Sequence, residues 1–238
     1  MATTLPPELL SIVFELCSGA SLSSCARVSK TWNLLATRIL YHTPTAYTQR
    51  SLLLLARLAP HNATLIKRLD FSACKDSRHL TGHALNHLLT NAPYVQHLNL
   101  KQTSVKNVKT ILRQCQLVSC ALGSVTSGAL LRSLGEQRRL RFLDVSKSNI
   151  SDEDERMLGR LPSQLWYLDV SSTEVTDRML MYLPPHLQGI GLENCANIGD
   201  RGVSELARLP LRQLNARGIR LTDRGLDKLS SALEQVDG

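Results

Sequence analysis

The sequence predicts an α/β protein in which a horseshoe-shaped solenoid of about seven stacked strand–helix units follows a small all-α module of three helices. Three observations lead to this prediction. An apolar pattern recurs along residues 65–238, only 4% of the residues are aromatic although 43% are hydrophobic, and residues 1–44 have helical spacing without the recurring pattern. A core of aliphatic side chains set at regular intervals is typical of repeat proteins.

The recurring pattern is L-x-x-L-x-L followed by a segment with helical spacing. Its members begin at Leu65, Val95, Leu117, Leu140, Leu165, Leu187 and Leu211. Alternation in L-x-L is the period-2 signal of a short strand, and the segments that follow have the apolar spacing of helices. Because one unit cannot bury its apolar face alone, we expect the units to stack with parallel strands on one side and helices on the other.

These repeats resemble the leucine-rich repeat family over roughly residues 65–235. The segment from Cys195 to Val203 reads CANIGDRGV and is similar to the cysteine-containing subtype of that family. The third unit departs from the pattern, because Cys120 stands where other units have leucine. The resemblance implies a curved solenoid whose units repeat one local structure.

Residues 5–41 form three helical segments that do not fit the repeat. Pro7 at the first helical position opens the first helix, Ser21 is the predicted N-cap of the second, and Thr31 is the predicted start of the third. The first helix has an apolar stripe that consists of Leu9, Ile12, Val13 and Leu16. A unit of this size is marginally stable alone, so we expect it to pack on a partner.

The N-terminal segment reads Leu5-Pro6-x-Glu8-Leu9, and Val28-Ser29-Lys30-x-Trp32 follows. Both pieces, in this order and spacing, resemble the F-box motif. The resemblance implies docking onto the small adaptor subunit of a cullin-RING (SCF-type) ubiquitin ligase. The contact residues carried over by position are Leu5, Pro6, Leu9, Ile12, Val28 and Trp32. For Trp32, internal packing of the three helices is an equal alternative.

These segments divide the chain into three predicted parts. Residues 1–44 form the F-box, residues 45–64 form a linker with an N-terminal capping helix, and residues 65–238 form the leucine-rich repeats. The capping helix is predicted from Gln49 to Leu58, which is leucine-rich and amphipathic, and it would cover the open end of the first repeat.

The strand positions that flank the second and third apolar residues point to the concave surface, because side chains alternate along a strand. Adjacent strands would place Phe142 beside Tyr167 and Asp144 beside Asp169. Like charges this close favour a bound cation. We therefore expect these four residues to bind a basic, partly apolar segment of a protein substrate. The alternative is a purely structural role in which the aspartates accept local backbone hydrogen bonds.

The formal net charge of +8 is unevenly distributed, with +7 in residues 101–150 and −6 in residues 151–200. The basic side chains fall in outer segments, and they are Lys106, Lys109, Arg113, Arg132, Arg138 and Arg139. An acidic run from Asp152 to Glu155 follows, and we expect it at a helix N-terminus. Nucleic acid is therefore not expected as a partner, although this outer patch leaves a peripheral binder of nucleic acid or of acidic proteins as one alternative.

No catalytic site, metal site or cofactor site is predicted. The six cysteines form no CxxC pair, and His83 and His87 lack a third ligand. We expect a non-catalytic, soluble protein in the cytoplasm, the nucleus or both, with no membrane segment. It would recognise substrates for an SCF-type ubiquitin ligase, bind that ligase's adaptor and cullin, and be monomeric within the complex. The other alternative is an interaction scaffold that does not direct ubiquitylation.

Overall fold

The computed structural model describes residues 5–44, 54–55, 57–58, 60–74, 82–101, 103, 112, 115–123, 128–150 and 158–234. These residues form nine helices and seven strands. In chain order the elements are α1 (Pro7–Glu15), α2 (Gly19–Cys25), α3 (Lys30–His42), α4 (Pro60–Ala63), β1 (Arg68–Asp70), α5 (Gly82–Asn91), β2 (His97–Leu100), β3 (Ser119–Leu122), α6 (Gly128–Gly135), β4 (Phe142–Asp144), β5 (Tyr167–Asp169), α7 (Asp177–Leu180), β6 (Gly189–Gly191), α8 (Asp200–Leu206), β7 (Gln213–Asn215) and α9 (Asp223–Glu234).

The seven strands form one parallel sheet in chain order from β1 to β7. Each strand places an apolar residue opposite its neighbour's, so the sheet has a central apolar column. Its members are Leu69, Leu98, Cys120, Leu143, Leu168 and Ile190, which are buried, and Leu214, which is half-buried. Parallel strands joined by outer segments with helices make an α/β solenoid, as predicted. The horseshoe curvature, the number of repeats and the domain boundaries stay predictions.

The first repeat begins one residue later than the sequence pattern predicts. Arg68 pairs with His97, so the residue equivalent to Val95 is Ile66 rather than Leu65. Ile66 is fully buried, whereas Leu65 is only half-buried. Counting from Leu65 puts Arg68 and Asp70 at the two following apolar positions, whereas counting from Ile66 puts Leu69 and Phe71 there, so only Ile66 satisfies the whole pattern.

The turn after each later strand has the same backbone conformation. Lys147, Ser172, Asn194 and Gly218 all have a φ between 56° and 76°, and each stands four residues after the residue that its strand contributes to the central apolar column. The amide of Ser172 donates to the carbonyl of Glu193 at 2.7 Å, and that of Asn194 donates to Arg217 at 2.8 Å. These turns therefore continue the pairing between repeats beyond the strands.

Aspartates at the N-termini of the outer helices connect consecutive repeats. Asp177 Oδ1 accepts a hydrogen bond from the Gly199 amide at 2.8 Å. Asp200 Oδ1 accepts from the Thr222 amide at 2.9 Å, and Asp200 Oδ2 accepts from the Thr222 hydroxyl. Each carboxylate also satisfies the preference for negative charge at a helix N-terminus.

The repeats share one continuous aliphatic core, which Cys120 enters at a position that other units fill with leucine or isoleucine. Leu55 and Leu58 from the predicted capping segment pack against this core. Most of the predicted helix from Gln49 to Leu58, and the acidic run from Asp152 to Glu155, lie outside the described residues. The Lys67 amide donates to the His42 carbonyl at 3.1 Å and so links α3 to the first repeat.

The three N-terminal helices are present, but two of them begin at residues other than those predicted. The N-cap of α2 is Ser18, whose hydroxyl accepts from the Ser21 amide at 3.2 Å, and the N-cap of α3 is Ser29. The predicted N-cap at Ser21 and the predicted start at Thr31 are wrong, because a nearby serine precedes each helix and its hydroxyl accepts from an amide of the first turn. No helix in the described part of the chain is long and apolar enough to cross a membrane.

Candidate protein-interaction sites

Helix α1 is apolar on two faces. Leu10 and Phe14 are buried, and Phe14 forms a small core with Leu22 and Ala36. The predicted apolar stripe of this helix, which consists of Leu9, Ile12, Val13 and Leu16, is exposed. Leu16 is 86% exposed and Ile12 is 57% exposed. A contiguous apolar face in water is typical of a surface that another protein covers.

The segment before α1 adds to this apolar face. Leu5 is 51% exposed, and Pro6 is also exposed. The Pro6 carbonyl accepts from the Leu10 amide at 3.0 Å, which fixes the entry of the chain into the helix. We call the exposed apolar residues of this module the N-terminal apolar face, and they are Leu5, Pro6, Leu9, Ile12, Val13, Leu16, Val28 and Leu34.

Five of the six residues predicted to contact an adaptor are thus exposed, and Trp32 differs from them. Its ring packs edge-on against Phe14, with ring centroids 5.1 Å apart. Its amide donates to the Ser29 hydroxyl at 3.2 Å. Trp32 is partly buried, so the alternative of internal packing accounts for its position. Whether any of these residues contacts an adaptor stays a prediction.

The second candidate site lies on the strand surface. The register pairs Phe142 with Tyr167 and Asp144 with Asp169, as the sequence analysis expected. A third aromatic residue that was not predicted, Trp166, lies beside them. Its ring centroid is 5.1 Å from that of Phe142 and 6.5 Å from that of Tyr167. We call Phe142, Trp166 and Tyr167 the aromatic platform. Trp166 stands directly before its strand, where the alternation rule does not assign a direction to the side chain.

Two neighbours in the next repeat position the platform. The indole Nε1 of Trp166 donates to Gln188 Oε1 at 2.7 Å. Gly189 lies beside the Tyr167 ring, because a Cβ added at Gly189 would stand 2.5 Å from Tyr167 Cδ2. The glycine at this position therefore lets the ring lie over strand β6.

The two aspartates of the site have different surroundings. Asp144 Oδ1 accepts from the Ser146 amide at 3.0 Å, and Asp144 Oδ2 forms an ion pair with Lys101. Asp169 Oδ1 accepts from the Ser171 amide at 2.9 Å, and no hydrogen bond or ion pair to Asp169 Oδ2 is present among the described residues. The local turns favour the structural alternative for both Oδ1 atoms, and only Asp169 retains an oxygen for a partner.

The pKa values of two residues on the strand surface, Tyr167 and His97, are shifted by burial and by neighbouring charges. Burial raises the pKa of Tyr167, and the neighbouring Asp169 and Asp144 raise it further. At the other end of the sheet, burial lowers the pKa of His97, with added repulsion from Arg68 and His42. Cationic side chains thus lie near His97, and carboxylates lie near Tyr167.

Comparisons with known proteins give one assignment. A family model described as F-box-like matches residues 2–46. The N-terminal module is F-box-like. No curated protein matches the chain. A chain in the crystal structure of a TLR13–ssRNA13 complex overlays with a TM-score of 0.48 and 17% identity, covering 74% of this chain. This chain spans 33% of that one.

Part of the predicted outer basic patch lies within the described residues. Of that patch, Arg132, Arg138 and Arg139 are exposed, and Lys106, Lys109 and Arg113 lie outside the described residues. His83 and His87 are exposed on α5, and the described residues contain no group of side chains that could hold a metal ion. Burial raises the pKa of the Cys115 thiol to about 11, which makes it a poor nucleophile.

Proposed function

We propose that this protein is the substrate-recognition subunit of an SCF-type ubiquitin ligase. The F-box-like module docks on the small adaptor and through it on the cullin, and the strand surface of the repeats binds a protein substrate. The chain itself is non-catalytic and needs no cofactor, because the other subunits of such a ligase supply ubiquitin transfer. A receptor of this kind acts in the cytoplasm or the nucleus.

The observation that carries this proposal is the exposure of the N-terminal apolar face within the matched region. Among the described residues, the module's own core cluster has three buried residues, Phe14, Leu22 and Ala36, whereas the leucine, isoleucine and valine side chains of the N-terminal apolar face remain exposed to water. Complete burial of one leucine or isoleucine side chain stabilises a complex by about 1.5–3 kcal/mol. Covering Leu9, Ile12 and Leu16 therefore supplies several kcal/mol to docking before its costs are subtracted.

The test is a binding titration of the purified full-length chain against the purified adaptor. We expect the double variant Leu9→Glu, Ile12→Glu to lose at least about 100-fold in affinity, since each charge would be buried without a partner. The matched control is Met181→Glu, which changes an apolar side chain of similar exposure, 53%, in the repeats. This control should bind within about threefold of the unmodified chain. Equal losses in both variants, or no loss in either, would exclude docking through α1.

A reconstituted reaction separates a ubiquitylating receptor from a scaffold. The chain is combined with adaptor, cullin, RING subunit, ubiquitin and the charging enzymes, together with a protein that the repeats retain. We expect ubiquitin transfer to the retained protein, and its loss in the Leu9→Glu, Ile12→Glu variant. If the chain binds the adaptor but no ubiquitin is transferred to a protein that the repeats bind, the chain is an interaction scaffold that does not direct ubiquitylation.

A further inference from the structure

The aromatic platform and the free carboxylate oxygen beside it point to one kind of ligand. We propose that Phe142, Trp166, Tyr167 and Asp169 bind an arginine side chain in an extended segment of the substrate. This inference rests on the proposed function, because it names the substrate chemistry that the strand surface selects. A lysine and a trimethylated lysine are the competing ligands, and the test below distinguishes them.

The ring geometry favours a flat cation over a round one. The three ring centroids lie 5.1, 6.2 and 6.5 Å from one another, with interplanar angles of 58°, 34° and 36°. At these distances the rings contact each other, so they form a continuous surface rather than a cage around an ammonium group. A planar guanidinium can stack on such a surface.

The carboxylate supplies the second contact. Tyr167 and Asp169 stand two residues apart on β5 and so point to the same face, roughly 7 Å apart along the strand. Asp144, by contrast, already pairs with Lys101. A guanidinium stacked on the platform can therefore donate N–H groups to Asp169 Oδ2 while its face contacts the rings.

The platform is accessible to a partner, and the surrounding charge fits a cation. Phe142 is 42% exposed, which is a large fraction for a phenylalanine that contacts two other rings. In the next repeat, Gly191 is in register with Asp169 and Glu193 stands two residues after Gly191. Glu193 Oε2 accepts from Asn215 Nδ2 at 3.1 Å. These carboxylates make the region around β5 and β6 attractive to a positively charged side chain.

The chain offers a substitution that removes the charge and keeps the turn. Asn99 and Asn215 occupy the position of Asp169 in other repeats, and their Oδ1 atoms accept from the amides of Lys101 at 3.0 Å and Arg217 at 3.3 Å. Asp169→Asn therefore preserves the local hydrogen bond. Asp70→Asn is the matched control, since Asp70 accepts from the Ser72 amide in the same way on β1.

The probe is the pentapeptide acetyl-Gly-Leu-Arg-Leu-Gly-amide, titrated into the full-length chain and followed by the indole N–H signals in NMR spectra. The chain has two tryptophans, Trp166 in the platform and Trp32 in the F-box-like module, and Trp32 serves as the internal reference. We expect a saturable shift of the Trp166 signal alone. Replacing the arginine of the peptide by lysine or by trimethyl-lysine should weaken binding about 5–10-fold.

Asp169→Asn should weaken binding of the arginine peptide by a similar factor, and Asp70→Asn should leave it unchanged. Absence of a Trp166 shift at millimolar peptide, equal or tighter binding of either lysine peptide, or no effect of Asp169→Asn would overturn the proposal. Adaptor affinity is measured on the same variants and should not change. A failed peptide titration with normal adaptor binding would thus refute the arginine site alone, and the reverse result would refute the ligase function alone.

Discussion

Single residues decide the shape of the strand surface, and Gly189 is the clearest case. A Cβ at this position would stand 2.5 Å from the Tyr167 ring, so Gly189→Ala must displace that ring. We expect the free energy of unfolding to fall by about 1 kcal/mol, because the partly exposed ring can move aside. Urea unfolding measures this loss, and the indole N–H signal of Trp166 should shift with the displaced ring.

Gly19→Ala is the control for that substitution. Nothing lies within 4 Å of a Cβ added at Gly19, which is the first residue of α2. Alanine is a better helix former than glycine, so this variant should be at least as stable as the unmodified chain. A Gly189→Ala protein with unchanged stability and an unchanged Trp166 signal would show that the Tyr167 ring does not lie over β6.

At this scale the sequence predicts strand residues better than the residues that flank them. Alternation placed Phe142 and Tyr167 on one face, and the register agrees. The same rule could not find Trp166, because it precedes the strand and its direction depends on the Phe142 ring and on Gln188 in neighbouring repeats. Contacts between repeats depend on stacking, which no single unit of the sequence specifies.

At the scale of elements, the central column of the sheet should dominate stability. Leu168 is fully buried and pairs with Leu143 on one side and Ile190 on the other. Leu168→Ala leaves a cavity that neighbouring repeats cannot close, and we expect a loss of about 2–5 kcal/mol in the free energy of unfolding. Denaturant unfolding tests this, with Leu226→Ala on the exposed side of α9 as the control that should change little. An unchanged midpoint for Leu168→Ala would contradict the register.

The aspartates between repeats give a pH dependence of known sign. Hydrogen bonds from the Thr222 hydroxyl and amide hold the pKa of Asp200 below its usual value of 3.8. A carboxyl whose pKa is lower in the folded state stabilises the fold above its unfolded pKa, and this contribution is lost as pH falls through the folded pKa. Asp200→Asn should therefore lower the unfolding midpoint at pH 7.

The difference between Asp200→Asn and the unmodified chain should shrink as pH falls below 3.8 and vanish once the native carboxyl is protonated. Thermal unfolding from pH 7 to pH 2.5 measures this convergence. Asp223→Asn is the control on α9, and it should change stability by a smaller amount at pH 7. A pH-independent difference for Asp200→Asn would show that the charge does not contribute.

Helix α1 shows why the position of a helix can be predicted from local sequence while its buried side cannot. The start of α1 at Pro7 was predicted correctly, because proline at the first helical position is a local signal. The buried side of α1 could not be predicted, because the helix carries apolar residues around most of its circumference. Phe14 packs on Trp32 and so selects the buried side, and that contact depends on α3.

At the scale of the whole molecule, the two core clusters have unequal sizes. The cluster of the F-box-like module contains three fully buried residues, and the repeats share one much larger cluster. A small core implies a low free energy of local unfolding. We therefore expect amide hydrogens in α1–α3 to exchange with deuterium faster than those in β4–β6 when the full-length chain is free in solution.

Adaptor binding should slow amide hydrogen exchange in the F-box-like module. At an adaptor concentration 100 times the Kd, binding stabilises the folded module by about 2.7 kcal/mol, which slows exchange through local unfolding roughly 100-fold. Exchange in β4–β6 should stay unchanged if the two cores unfold separately, and the Leu9→Glu, Ile12→Glu variant should show no slowing in α1–α3. Equal slowing in both regions would mean that the Lys67–His42 hydrogen bond and the contacts around α4 couple them into one cooperative unit, because only a shared unfolding event can transmit the adaptor's free energy to the repeats.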